Sequence, residues 1–207
     1  MTNYASAVPP TPAPWAEIVP GMGPVTVDIL LTIPDDGYVY EVVDGVLVRM
    51  AGSGKAATRI GLRLGAALIS YVEEHGLGIV TGADGVYKFP SAETGLIPDV
   101  GFYTAERDAT IPESDDNKPI PFAPDLAVEV VSPSQDADDM AAKVRLYFHG
   151  GTRLVWVVWP QSKHIDVWRR GDAQPSTLRG VADTLDGEDV IPGFSCPVAR
   201  VFAQPRA

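Results

Sequence analysis

The chain is poor in cysteine, in histidine and in positive charge. Its 207 residues include a single cysteine, Cys196, which excludes an internal disulfide and a thiolate metal cluster. Of the three histidines, His75 and His149 close helical patterns, where they suit the helix dipole. No histidine pairs with a serine in a recognisable hydrolase motif. No apolar run approaches the roughly 18 residues of a membrane-spanning helix, so no membrane partner is expected. The start, MTNYASAVPPTPAPW, has neither a basic stretch nor an apolar core and does not read as a secretory signal; a cytoplasmic location is the expectation. Lys and Arg number 16 against 27 Asp and Glu, a formal net charge of −11. That deficit counts against general, charge-driven binding to nucleic acid, which needs cations to displace counterions. It leaves room for a small basic patch beside a metal that bridges to phosphate.

Proline, by contrast, is abundant near the start. Pro9, Pro10, Pro12, Pro14, Pro20 and Pro24 make residues 1–24 an extended, weakly ordered arm. Trp15 and Ile18 are its candidates for docking, on the body or on a second subunit, so a homodimer is an open expectation. Residues 25–207 read as a single domain.

The periodicities predict the elements. Tyr38–Met50 reads as two strands joined at Asp44-Gly45, a hairpin signal. Lys55–His75 is the longest helical pattern, with Ile60, Leu64, Leu68 and Val72 forming an apolar ridge and Gly76 as its stop. Ile79–Val80, Val86–Phe89 and Val100–Tyr103 are short strands, and residues 104–123 a polar, acidic loop. The run PDLAVEVVSP is a strand over its apolar part. A helix follows over Ser134–His149, capped by Ser134 or Asp136 and stopped at Gly150-Gly151. Leu154–Trp159 and Ile165–Arg169 form a second hairpin. This order suggests one mixed α/β sheet with helices against it, without the regular alternation of a doubly wound fold.

Chemistry enters with Glu129, in the middle of that apolar strand. Side chains alternate along a strand, so Leu126, Val128 and Val130 form an apolar core face, while Asp125, Ala127, Glu129 and Val131 share the other. A carboxylate there needs either water or a partner. On the next helix Asp139, Lys143 and Tyr147 fall on one stripe beside apolar Met140, Val144 and Phe148. Lys143 can therefore reach back over the strand. Asp99, after Pro98, opens another strand, and Glu41 lies between Tyr40 and Val42 in the first hairpin. Two or three carboxylates with a backbone carbonyl make an oxygen-rich site suited to Mg²⁺ or Mn²⁺. A nearby lysine could position or deprotonate a water and stabilise charge on a phosphate.

With PDLAVEVVSPS followed by Asp139-x-x-x-Lys143-x-x-x-Tyr147, the chain resembles the Uma-two family of the PD-(D/E)XK, restriction-endonuclease-like superfamily. YEVVDGVLVRM and IPDVGFY upstream, and GTRLVWVVWP downstream, follow the family's order, so the resemblance spans roughly residues 34–170. It implies a restriction-endonuclease-like mixed sheet flanked by helices, with an N-terminal hairpin. It also implies metal-dependent hydrolysis of nucleic acid, DNA first. Asp99 and Glu129, with the Val130 carbonyl, would hold the metal, with Glu41 as a further acidic member of the site. The superfamily places its lysine two residues after the glutamate, where this chain has Val131; Lys143 would take that role, and Tyr147 would orient Lys143 or touch a phosphate. The chain departs from the family in Lys55-Ala56-Ala57-Thr58, where a histidine is common, and in Trp159-Pro160, where Asp-Pro is usual.

Plainer readings stand beside these. Glu129 could pair with a surface lysine, Asp99 could be a turn residue, Glu41 could sit on an exposed hairpin face, and Lys143 could be only the helical partner of Asp139. Lys55, Arg59 and Arg63 form a basic stripe, either a phosphate track or a solvated face. Gly52-Ser53-Gly54-Lys55 fails as a phosphate loop, because Arg49 stands where its first glycine belongs and Ala56 where Ser or Thr is required. A non-catalytic, oligomeric binding module that keeps the nuclease fold is the alternative function.

Overall fold

The computed structural model describes residues 15–50, 52, 54–91 and 93–204. Most of the proline-rich stretch, with Pro9, Pro10, Pro12 and Pro14, lies outside the described residues, as does Ser53. In chain order the strands and helices are β1 (Glu17–Ile18), β2 (Val39–Val43), β3 (Val46–Met50), α1 (Lys55–Glu74), β4 (Gly78–Thr81), β5 (Tyr87–Lys88), β6 (Gly95–Leu96), β7 (Val100–Thr104), α2 (Ala105–Asp108), β8 (Leu126–Val130), α3 (Ala137–Gly150), β9 (Leu154–Trp159), β10 (His164–Arg169), β11 (Thr177–Arg179), β12 (Thr184–Asp186), β13 (Ser195–Pro197) and α4 (Val198–Val201).

A six-stranded sheet in the order β11-β10-β9-β8-β7-β4 forms the centre, mixed because β8 and β9 run parallel while the other pairs are antiparallel. The parallel pair needs a crossover, and α3 supplies it. A five-stranded sheet, β1-β3-β2-β6-β5, holds the hairpin of β2 and β3. Asp44 and Gly45 both have positive φ, 48° and 78°, the backbone that a two-residue hairpin turn requires. β1 adds to β3 through Glu17 and Ile18, and Trp15 is buried beside it.

The ridge of α1 packs on one face of the central sheet: Ile60, Leu64, Leu68 and Val72 meet Val100, Phe102, Leu126, Val128 and Val130. The opposite face, with Ala127, Val155 and Val157, is covered by Met140, Val144 and Tyr147 of α3. Val43, Val48 and Leu96 of the smaller sheet belong to that same second core. Gly101 is needed on β7, because a Cβ there would collide with the Tyr87 ring.

α3 starts at Asp136, whose carboxylate accepts the Asp138 and Asp139 amides at 2.9 and 3.0 Å while Asp139 accepts the Asp136 amide at 3.0 Å. This reciprocal cap selects Asp136 over Ser134. It also engages Asp139. Gly151, at φ 112°, ends the helix. The loop over 104–123 contains α2 and a short 3₁₀ turn at Glu113–Asp115. No helix among the described residues is long and apolar enough to cross a membrane.

Candidate active site

Four elements converge on one cluster. β2 brings Glu41, the residue before β7 is Asp99, β8 brings Glu129, and α3 brings Lys143 and Tyr147 one turn apart. Period-two alternation explains the first: Val42 enters the small core with Val27 and Leu47, so Glu41 and Val43 point the other way, into the space between the two sheets. The same rule puts Glu129 on the α3 face of β8, opposite Val128 and Val130.

The cluster is taken almost wholly out of water. Relative exposure is 1% for Glu41, 7% for Glu129 and 2% for Lys143. The Lys143 ammonium lies 3.0 Å from Glu129 Oε1 and 3.1 Å from Glu41 Oε1. The Tyr147 hydroxyl donates to Glu129 Oε1 at 2.5 Å. Glu41 Oε1 also accepts the Ile97 amide at 2.8 Å, and Asp99 Oδ2 accepts the Val130 amide at 2.7 Å. These contacts decide several plainer readings. Glu41 is buried, not on an exposed hairpin face. Lys143 pairs with two glutamates from other elements, not with Asp139. Tyr147 is fully buried and holds Glu129; it is too deep to touch a phosphate, and its contact is to the glutamate rather than to the lysine. Asp99 is more than a turn residue, since its carboxylate ties β7 to β8.

Charge is unbalanced here: three carboxylates surround one ammonium. Burial pushes the Glu129 carboxyl up to about 7; Asp99 and Glu41 add to the rise, and Lys143 and Tyr147 oppose it. Burial likewise raises Asp99, against the Val130 amide and Lys143. For Lys143 burial works toward loss of the proton, but Glu129 and Glu41 outweigh it and hold the ammonium charged well above its ordinary range. Burial raises the Tyr147 hydroxyl strongly, and the anions beside it raise it further, so it stays a donor.

Glu41, Asp99, Glu129, Val130 and Lys143 face one cavity of about 230 Å³. Its rim includes Trp15, Ala83, Asp84 and Gln135. The sequence reading missed these: the Gly82–Gly85 stretch signals only a turn, and nothing in it marks Asp84 as facing a carboxylate cluster. Among the described residues, no three Asp, Glu, His or Cys side chains are already gathered at ligand spacing. The donors nonetheless suit a hard cation. Asp99, Glu129 and Val130 offer only oxygens to the cavity, and Glu41 Oε2 beside them is buried with no hydrogen-bond partner, a carboxylate oxygen whose charge a nearby cation would offset.

Elsewhere, the basic stripe of α1 is divided. Arg63 is bonded to the Ala203 carbonyl, Arg59 is half-buried, and Lys55 is exposed. His75 stacks on Tyr71 with ring centroids 4.0 Å apart, a structural contact far from the carboxylates in sequence. Trp159 donates its indole N–H to Asp166 at 2.8 Å, giving the Trp-Pro position a structural task.

Comparisons with known proteins identify the family and the fold. The Uma2 family, described as "Putative restriction endonuclease", matches residues 27–199, a longer span than the motifs alone suggest. The crystal structure of "a putative nuclease belonging to DUF820" from Anabaena variabilis ATCC 29413 superposes with a TM-score of 0.71, covering 86% of this chain and 98% of that one at 17% sequence identity. At that identity the likeness is one of fold. No curated protein matches. The chain belongs to the Uma2 family and has its nuclease-like mixed α/β fold.

Proposed function

We propose that this Uma2 protein is a nuclease that hydrolyses nucleic-acid phosphodiesters, DNA in the first instance, with a divalent metal held by Asp99, Glu129 and the Val130 carbonyl. One observation carries the reading: a lysine is buried between two glutamates, with a third carboxylate on the same cavity. A structural ion pair needs one partner, and the surplus of buried negative charge is costly unless a cation offsets it. Mg²⁺ or Mn²⁺ fits an all-oxygen donor set, and when bound supplies Lewis-acid chemistry that polarises phosphate and acidifies water.

The chain's own residues have separable tasks. Glu41 fixes the Lys143 ammonium and is itself fixed by the Ile97 amide. Tyr147 clamps Glu129 Oε1 and leaves the other oxygen of that carboxylate free of the clamp. Lys143, held between Glu129 and Glu41, places a positive charge on the cavity, facing the phosphate, and can supply a proton to the departing oxygen. Hydrolysis forms a bond from water oxygen to phosphorus and breaks one phosphorus–oxygen ester bond; a proton must leave the water, and the departing oxygen must gain one. An ammonium at this point favours the second transfer.

The second reading, a binding module without cleavage, draws on the acidic balance of the chain. Incubation of the full chain with end-labelled DNA and RNA, with Mg²⁺ or Mn²⁺ and with EDTA, separates the two. The nuclease reading expects cleavage that EDTA abolishes and that Glu129→Gln and Lys143→Ala each reduce by at least about 100-fold. Binding of nucleic acid without cleavage under any metal would leave the binding module.

A further inference from the structure

We infer that the substrate is an unpaired nucleic-acid strand, one base of which enters the apolar groove between α1 and β4 while its phosphate lies at Asp99. This deepens the nuclease reading and rests on it. Three observations on this groove and on the surface charges converge.

The first is continuity. The groove has a volume of about 320 Å³ and walls that include Gly61, Leu62, Gly65 and Val80. Asp99 and Ala83 line both this groove and the carboxylate cavity. A nucleotide bound at Asp99 therefore has an apolar recess next to its phosphate. The volume lies at the low end for small-molecule sites, a match to one flat ring system.

The second concerns why the recess is there. Gly61 and Gly65 lie inside α1, where glycine weakens a helix relative to alanine. Close packing does not demand them. A Cβ on Gly61 would sit 3.7 Å from Asp99 Cβ, and one on Gly65 3.6 Å from Val100 Cγ2, both ordinary contact distances. What the glycines do provide is depth. Leu62 beside them is 74% exposed, an apolar side chain left in water at the groove's edge.

The third is the supply of cations. A nuclease that grips duplex DNA through its phosphates needs free Lys and Arg. Here Arg49 is paired with Glu17, Lys88 with Asp28, Arg107 with Asp125 and Arg153 with Asp189. Among the described residues the exposed cations left over, Lys55, Arg145, Lys163, Arg170 and Arg200, are spread over α1, α3, the β9–β10 turn, the end of β10 and α4 rather than gathered in one phosphate track. Lys143 is committed to Glu41 and Glu129. With net charge −11, affinity has to come mainly from burying a base, and bases are available for burial only when unpaired.

The test is binding of a single-stranded DNA oligonucleotide carrying 2-aminopurine, beside the same strand in a duplex, to the full chain in Ca²⁺ over a series of salt concentrations. The single strand should bind more tightly than the duplex and change its base emission on binding. Its affinity should fall with salt on a log–log slope of only about −1 to −2. Leu62→Ser, which removes the apolar lip, and Ala66→Trp, which fills the recess from an exposed position of α1 away from the carboxylate cavity, should each weaken the single strand about tenfold. Neither should alter Mn²⁺ binding. Unchanged single-strand affinity in both folded variants, or equal affinity for duplex, would overturn the base pocket while leaving the nuclease reading intact. Failure of the parent chain to bind Mn²⁺ or any nucleic acid would overturn both together.

Discussion

The ammonium of Lys143 stands 3.0 Å from Glu129 Oε1, linking the middle of a buried strand to the second turn of the helix that follows it. That pair answers how an ionisable side chain survives inside LAVEV, and most of the expected behaviour of the site follows from it.

Lys143→Ala removes the one cation from a buried set of carboxylates. Without divalent metal the variant should be about 3–5 kcal/mol less stable than the parent, the usual cost of breaking a buried pair from one side. Added Mn²⁺ should recover part of that loss, since lysine is not among the ligands. Urea unfolding with and without metal measures both; a variant as stable as the parent in EDTA would show that the pair carries no such charge.

Proton binding predicts a pH dependence. Glu129 has an ordinary pKa of 4.5 and is pushed up to about 7 by burial and by Asp99 and Glu41. The native state thus keeps a proton that the unfolded chain releases between these values. The contribution, up to about 3 kcal/mol, is full below pH 4.5 and is lost as pH rises through about 7. Metal competes with that proton, so Mn²⁺ affinity should climb up to about pH 7 and then level. Glu129→Gln should flatten the stability change. A parent whose metal-free stability rises from pH 5 to pH 8 would contradict this assignment.

Tyr147→Phe removes only a hydroxyl. The loss of its hydrogen bond to Glu129 Oε1 should cost about 1–2 kcal/mol. The bond favours the charged carboxylate, so its removal should also shift the rise of Mn²⁺ affinity to higher pH. The pH midpoint, compared between variant and parent, separates this from mere loss of packing; an unchanged midpoint would reduce Tyr147 to a core residue.

Much of this arrangement is legible in the sequence, for physical reasons that also explain the gaps. The spacing of Ile60, Leu64, Leu68 and Val72 fixes which side of α1 is buried, because a helix has one apolar face and one core to put it in. Alternation through LAVEV puts Glu129 opposite Val128, and the helical stripe brings Lys143 above it. What one chain segment cannot state is which distant segment it meets. Glu41 looks the same on an exposed hairpin as on a buried one, and only the packing of the smaller sheet decides. Asp139 looks like the partner of Lys143 until the cap at Asp136 engages it. β6 is two residues long, too short for any period to show, yet it leads into Ile97, whose amide holds Glu41.

The central claim is that the surplus of buried carboxylates exists to hold a divalent cation. Titration of the metal-free chain with Mn²⁺ near pH 7.5, followed by calorimetry, tests it most directly, with Glu129→Gln and Asp99→Asn beside the parent. The account predicts one saturable site in the parent, at least about 10-fold weaker in each variant, with both variants folded. Binding as tight in Glu129→Gln as in the parent, or no saturable site in the parent, would contradict it and leave Glu129 and Lys143 as a structural pair.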